Sequence, residues 1–254
     1  MTETSLPKLW LFDFDNTLAR LEPVVDWPAL RAEVRAILER AHAPREIIEQ
    51  VPPRSLSMYD AYRAHIERAR AAAGARVLER ISKLIEKYEL AGVARAQPLD
   101  GAIDLLRAVA ALNLACAIVT SNSSVTVARW LERHRARDSS QSIIGRDSRL
   151  ALKPSPAMLK RALQIAGLGA RDAVFVGDSD ADLIAARAAR VRFIGIATDQ
   201  AMSDRLVAAG ATEIYSSPGA AAIHLNLIIP DRICGRQRVD HREYRTGRRI
   251  QSKA

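Results

Sequence analysis

Leu9, Trp10, Leu11 and Phe12 form an unbroken apolar run that ends in Asp13 and, one residue further on, Asp15. An apolar run without polar alternation fits a parallel strand covered on both faces, which commits the chain to a sheet layered between helices. At the strand period of two, both aspartates point to the same side, where their repulsion raises at least one pKa unless a cation or a proton is shared. A pair that works against folding in this way marks a candidate site.

The same layout returns after Pro98. A helix over about Ala102 to Leu112 leads into the strand "ACAIVT". A helix near Val125 to His134, the short strand "SIIG", a helix beginning near Pro154, the strand "AVFVG", the helix "DLIAARAA", the strand "RFIGIA" and a last weak strand at "TEIY" follow. Strands alternating with helices predict an open parallel sheet. Between the first strand and Pro98, roughly 70 residues read as helical, too many for a loop. Asp26 is placed to cap a helix opened by Trp27-Pro28, Ser57 and Asp60 have capping-box spacing, and Gly74 offers a break in the long Ala/Arg-rich helical stretch. The expected fold is α/β: a doubly wound, Rossmann-like parallel sheet core (1–20 and 93–230), interrupted by an all-helical cap (21–92) and followed by a basic tail (231–254).

Composition narrows the function classes. With 254 residues, 48% of them hydrophobic, the chain has ample material for a core. The apolar stretch from Ala108 to Val119 is too short, and too interrupted by Asn113, to span a bilayer, and no basic-then-apolar leader precedes the first strand. Cys116 and Cys234 fit no metal pattern, so a reducing, cytoplasmic setting is expected. The net charge is +9, but from Asp231 onward eight basic residues stand against three acidic ones, so the tail alone supplies +5. A solvated terminus is the commoner outcome of such a tail. Nucleic acid is therefore not the expected partner, and weak polyanion contact through the tail is a minor reading. Monomer and homodimer are both compatible with the chain.

The polar residues gather at the strand ends. Asp13 and Asp15 close the first strand, Thr120 closes "CAIVT", Lys153 opens the helix after "SIIG", and Asp178 closes "VFVG". In a parallel sheet all carboxyl ends share one edge, and ligands bind in the crevice beside it. Taken singly, each residue has a plainer reading: a solvated turn for the aspartate pair, a β-branched strand residue for Thr120, a surface lysine for Lys153, a helix cap for Asp178 and Ser179. Their order along a single edge is what argues for a site.

In that order, "DFDNT", "IVTSN", "LKPSP" and "GDSDAD" resemble the four motifs of the haloacid dehalogenase superfamily over about residues 8 to 225. The helical insert and the "KPxP" and "GDS" forms are most similar to phosphoglycolate phosphatase-like members. The resemblance implies a Mg²⁺-dependent phosphomonoesterase acting on a small phosphorylated metabolite, phosphoglycolate-like, through an aspartyl-phosphate. Asp13 would be the nucleophile and Asp15 the acid/base. Thr120 and Lys153 would hold the phosphate, and Asp178, with Asp13 and Asp15, would surround the metal. The chemistry is consistent with these roles. A carboxylate attacking a phosphate dianion needs a hard cation between the charges, and the spreading phosphoryl charge needs fixed donors such as the amide of Ser121. Asp182, one turn after Asp178, reads as orienting Lys153 or a metal-bound water. Dehalogenation, which needs no proton, has little use for Asp15. A sugar-phosphate phosphomutase and a nucleotide 5'-phosphatase would keep all four motifs, and a non-catalytic polyanion-binding module would keep the fold alone. Arg20, Arg54 and Tyr59 are the cap-side candidates for contacting the leaving group.

Overall fold

The computed structural model of the protein describes residues 6–52, 54–70 and 74–228. Among them, β1 (Leu9–Phe12), β2 (Ala115–Val119), β3 (Ser142–Ile144), β4 (Ala173–Gly177), β5 (Arg192–Ile196) and β6 (Ile214–Tyr215) form one parallel sheet in the order β3-β2-β1-β4-β5-β6. The alternation inside β1 shows why its whole run is apolar. Leu9 and Leu11 enter one hydrophobic layer, Trp10 and Phe12 the other, and all four are buried.

Among the described residues, the insert holds four α-helices: α1 (Trp27–Arg40), α2 (Arg45–Glu49), α3 (Ser55–Ala69) and α4 (Gly74–Val93). Asp26 caps α1, accepting a hydrogen bond from Ala29 N at 3.0 Å. Leu30, Val34, Ile37 and Leu38 form its buried stripe, at the spacing of one helical face. α3 ends at Arg70 in the left-handed region, and α4 starts at Gly74, where a Cβ would lie 2.4 Å from Ile66 Cγ2. Only glycine lets the two helices approach so closely.

The remaining helices cover the sheet. α5 (Ala102–Ala111), α6 (Ser124–Arg133) and α10 (Pro218–His224) pack on the face holding Trp10 and Phe12; α7 (Ala157–Ala166), α8 (Asp180–Ala189) and α9 (Gln200–Ala208) pack on the other. This is the doubly wound arrangement expected from the sequence, with a helical cap inserted after β1. None of the described helices is long and apolar enough to cross a membrane. The basic tail, with Cys234 and His241, lies outside the described residues.

Two local expectations are corrected. Ser57 and Asp60 form no capping box: α3 begins at Ser55, and the Asp60 carboxylate accepts instead from Arg63 Nε at 2.7 Å and Leu152 N at 3.1 Å. A neighbour one turn on and one tertiary donor take the place of the Ser57 N–H. Lys153 does not open a helix. α7 starts at Ala157, because a residue preceding proline is pushed out of the α region and both Pro154 and Pro156 lie ahead of it.

Candidate active site

β1 lies between β2 and β4, so residues leaving these three strands meet where the winding of the chain reverses. Asp13 follows β1, and its N–H extends the ladder to Val176 O at 2.8 Å. Phe14 turns into the core, fully buried and edge-on to Trp130. Asn16 takes the left-handed conformation (φ 57°) that its short polar side chain tolerates, and this tight turn fixes the ends of "DFDNT". Apolar and acidic residues thus part to opposite sides, as the period of two requires.

Lys153 stands at the centre. Its ammonium donates to Asp13 Oδ1, lies 2.6 Å from Asp182 Oδ1, and reaches Val119 O at 3.3 Å. Asp13, Asp178 and Asp182 each offer a carboxylate oxygen within 4.8 Å of the others. Asp178 Oδ1 accepts from Thr17 Oγ1 at 3.3 Å. Asp182 is held by a capping box, accepting from Ser179 Oγ at 2.6 Å and Ser179 N at 3.1 Å. Gly177 makes the approach possible: a Cβ there would lie 2.7 Å from the Asp182 carboxyl carbon.

The electrostatics follow from this crowding. Burial pushes Asp13 upward, with Lys153 opposing and Asp182 adding to the rise. Asp178 is raised by burial and by the Asp182 and Asp13 charges. Burial alone would lower the Lys153 ammonium, but Asp13 and Asp182 outweigh it and raise the group. Burial lifts Asp15 to about 7, although the Glu22 and Leu21 amides oppose the rise. Three carboxylates around one ammonium leave an excess of negative charge, and an all-oxygen donor set suits a hard divalent cation.

The sequence expectations meet this geometry unevenly. Asp13, Lys153, Asp178 and Asp182 come together. Asp15 stands outside the acidic trio: its Oδ1 accepts from Leu21 N and Glu22 N, both at 2.9 Å, while Asp182 lies beside Asp13 and Asp178 and contacts Lys153. Thr120 is buried, and its hydroxyl donates to Asn122 Oδ1 at 3.0 Å. Ser121 borders a cavity of about 310 Å³ that opens beside Lys153 and is walled on the cap side by Leu56, Ser57 and Asp60.

The cap-side candidates lie in different surroundings. Arg20 and Arg54 are exposed. Tyr59 is buried, with its hydroxyl 3.5 Å from Arg146 O and its ring 6.0 Å from the Arg146 guanidinium, so it packs inside the cap–core contact. Sequence reasoning also passed over Glu89 and Arg146, an ion pair with both side chains at 0% exposure. A readable signal existed: Glu89 continues the buried stripe of Ile81 and Ile85 at a spacing of four, where a solvated carboxylate does not belong.

A family model described as haloacid dehalogenase-like hydrolase matches residues 10–196. The chain is 31% identical over 195 residues to phosphoglycolate phosphatase 1 of Pseudomonas aeruginosa, covering 74% of this chain and 69% of that protein. It is 29% identical over 190 residues to a phosphoglycolate phosphatase of Rhodospirillum rubrum, covering 73% and 78% respectively. Among solved structures, the crystal structure of a predicted phosphatase from Clostridium acetobutylicum is similar in fold, with a TM-score of 0.59 at 20% identity over 88% of this chain and 100% of that one. A strand order with the acidic cluster at its switch point, and a family match spanning all four motifs, lead to one conclusion: the chain belongs to the haloacid dehalogenase-like hydrolase family.

Proposed function

We propose that this hydrolase is a Mg²⁺-dependent phosphatase, a phosphomonoesterase that cleaves a small phosphorylated metabolite of the phosphoglycolate kind through a phosphoryl group carried on Asp13. The observation that supports it best is the contact of the Asp13 carboxylate with the Lys153 ammonium, inside a ring of carboxylates that includes Asp178 and Asp182. Lys153 and the Ser121 N–H hold the phosphoryl oxygens. The Thr120 hydroxyl, which also braces Asn122, is the third donor to the phosphoryl oxygens. In this reading residues 1–20 and 93–230 supply the chemistry, and 21–92 form the cap that meets the leaving group.

An Asp13 oxygen attacks phosphorus and the bond to the leaving oxygen breaks. Asp15, lifted to about 7 and therefore partly protonated near neutrality, gives its proton to the departing alkoxide. It then takes a proton from the water that releases inorganic phosphate and restores Asp13. Asp13 and Asp178, with Asp182 alongside, would hold Mg²⁺, which would supply the positive charge that allows one anion to approach another. The relatives named phosphoglycolate phosphatase favour a two-carbon acid as leaving group.

A phosphate-release screen over phosphoglycolate, sugar phosphates and nucleoside monophosphates tests the reading. Release is expected with Mg²⁺, absent in EDTA and restored by added Mg²⁺. No release from any ester in Mg²⁺, or full turnover in EDTA, overturns it; isomerisation of a sugar phosphate without release would mark a phosphomutase.

A further inference from the structure

Glu89, near the end of α4, uses both carboxylate oxygens fully. Oε1 accepts from Arg146 Nη1 at 2.8 Å and Asn122 Nδ2 at 3.0 Å. Oε2 accepts from Ser123 N at 3.0 Å, Thr126 Oγ1 at 3.1 Å and Arg146 Nη2 at 3.4 Å. Arg146, just past β3, spends the rest of its fork on Ser121 O at 2.8 Å and on Ser82 O and Oγ of α4 at 3.2 and 3.3 Å. Its own N–H donates to Asn122 O at 2.9 Å. Asn122 passes the constraint on, because its Oδ1 and N–H both engage the Thr120 hydroxyl.

A fully buried ion pair is poor evidence for stability, since well-packed apolar residues often serve a fold as well or better. The partners of this pair are informative. Apart from one another and Thr126, they are the helix that returns from the cap and the segment Ser121–Ser123, whose Ser121 borders the cavity beside Lys153. We infer that Glu89 and Arg146 are positioning residues that join the phosphate-holding loop 120–123 to the cap's return helix, so that the Ser121 amide and Lys153 face one phosphate together only while the pair is intact. Neither residue touches the reacting atoms. The inference rests on the phosphatase reading for its kinetic consequence, and on geometry alone for the rigidity of the loop.

Three variants separate positioning from mere folding. Arg146→Lys keeps the charge but loses the fork, Glu89→Gln keeps the shape but loses the charge, and the double variant Glu89→Leu/Arg146→Met keeps apolar volume with no orphaned charge. A control, Ile81→Val, trims the same buried stripe without touching the loop. All three pair variants are expected to lower kcat on p-nitrophenyl phosphate by about 10- to 100-fold and to weaken inorganic phosphate binding, read by calorimetry, to a similar degree. Ile81→Val should lower the melting temperature and leave both unchanged. Amide exchange at Asn122 and Ser123 should quicken in the pair variants while the β2 amides stay protected. The inference is overturned if a pair variant with native-like melting keeps wild-type kcat and phosphate affinity, or if the loop amides exchange as in wild type. If the double variant fails to fold, Arg146→Lys decides by the same measurements. A wild type that releases no phosphate defeats the phosphatase reading, and loop exchange alone then decides the role of the pair.

Discussion

The sheet edge and the cap cavity face each other across Lys153, yet they are built in different ways. At the edge, side chains from three separate stretches converge because parallel strands deliver their carboxyl ends to one place; Asp13, Lys153, Asp178 and Asp182 meet although up to 169 positions part them. In the cap, the wall of the cavity depends on how α2 and α3 happen to pack, and Leu56, Ser57 and Asp60 reach it while Arg54 stays exposed and Tyr59 turns to Arg146. In the proposed reading, topology positions the chemistry and packing positions the selectivity.

If that contrast holds, substitutions at the edge should abolish turnover and substitutions in the cap should redistribute it. The largest effect is expected for Asp13→Asn, which removes the attacking oxygen: activity should fall by about 10⁵-fold, with no phosphoryl-enzyme in a rapid-quench single turnover. Labelled enzyme from this variant would refute the nucleophile assignment.

Asp15→Asn comes next. It keeps the nucleophile but neither gives nor takes a proton, so turnover should drop by about 10²- to 10⁴-fold. With p-nitrophenyl phosphate, whose leaving group needs no proton, the first step should outpace the second and hydroxylamine-labile label should accumulate. If wild type and this variant never carry label, and solvent ¹⁸O shows water attacking phosphorus directly, the covalent route is wrong.

Cap substitutions should act on selectivity. Leu56→Ala widens the cavity wall, and the ratio of kcat/KM between phosphoglycolate and a hexose phosphate should shift by about 10-fold, the scale of a few methylenes in a pocket. Tyr59→Phe should leave the same ratio within about twofold and cost under ~1 kcal/mol of stability, because its hydroxyl contact at 3.5 Å is at the limit of a hydrogen bond. A large selectivity change from Tyr59→Phe, with none from Leu56→Ala, would reverse the assignment of the cap wall.

The smallest effect is expected from deleting residues 231–254. Turnover of p-nitrophenyl phosphate should stay within about twofold, and any salt-sensitive binding to heparin should weaken. Loss of folding on truncation would make the tail part of the core.

Where the chain obeys a local rule, its sequence was enough. The apolar run Leu9–Phe12 and the aspartates that end it follow from strand period, so the sheet and the axis of the site were legible in advance. Residues whose roles depend on distant partners were not. Asp60 left its local capping role for Leu152 N, and Tyr59 turned to Arg146. Glu89 found Arg146 57 positions away, a pairing that no periodicity encodes. Local propensity and pleat are fixed by neighbours along the chain. The destination of a buried charge is decided by whichever partner the completed fold brings within hydrogen-bond reach, since burial leaves it no water to turn to.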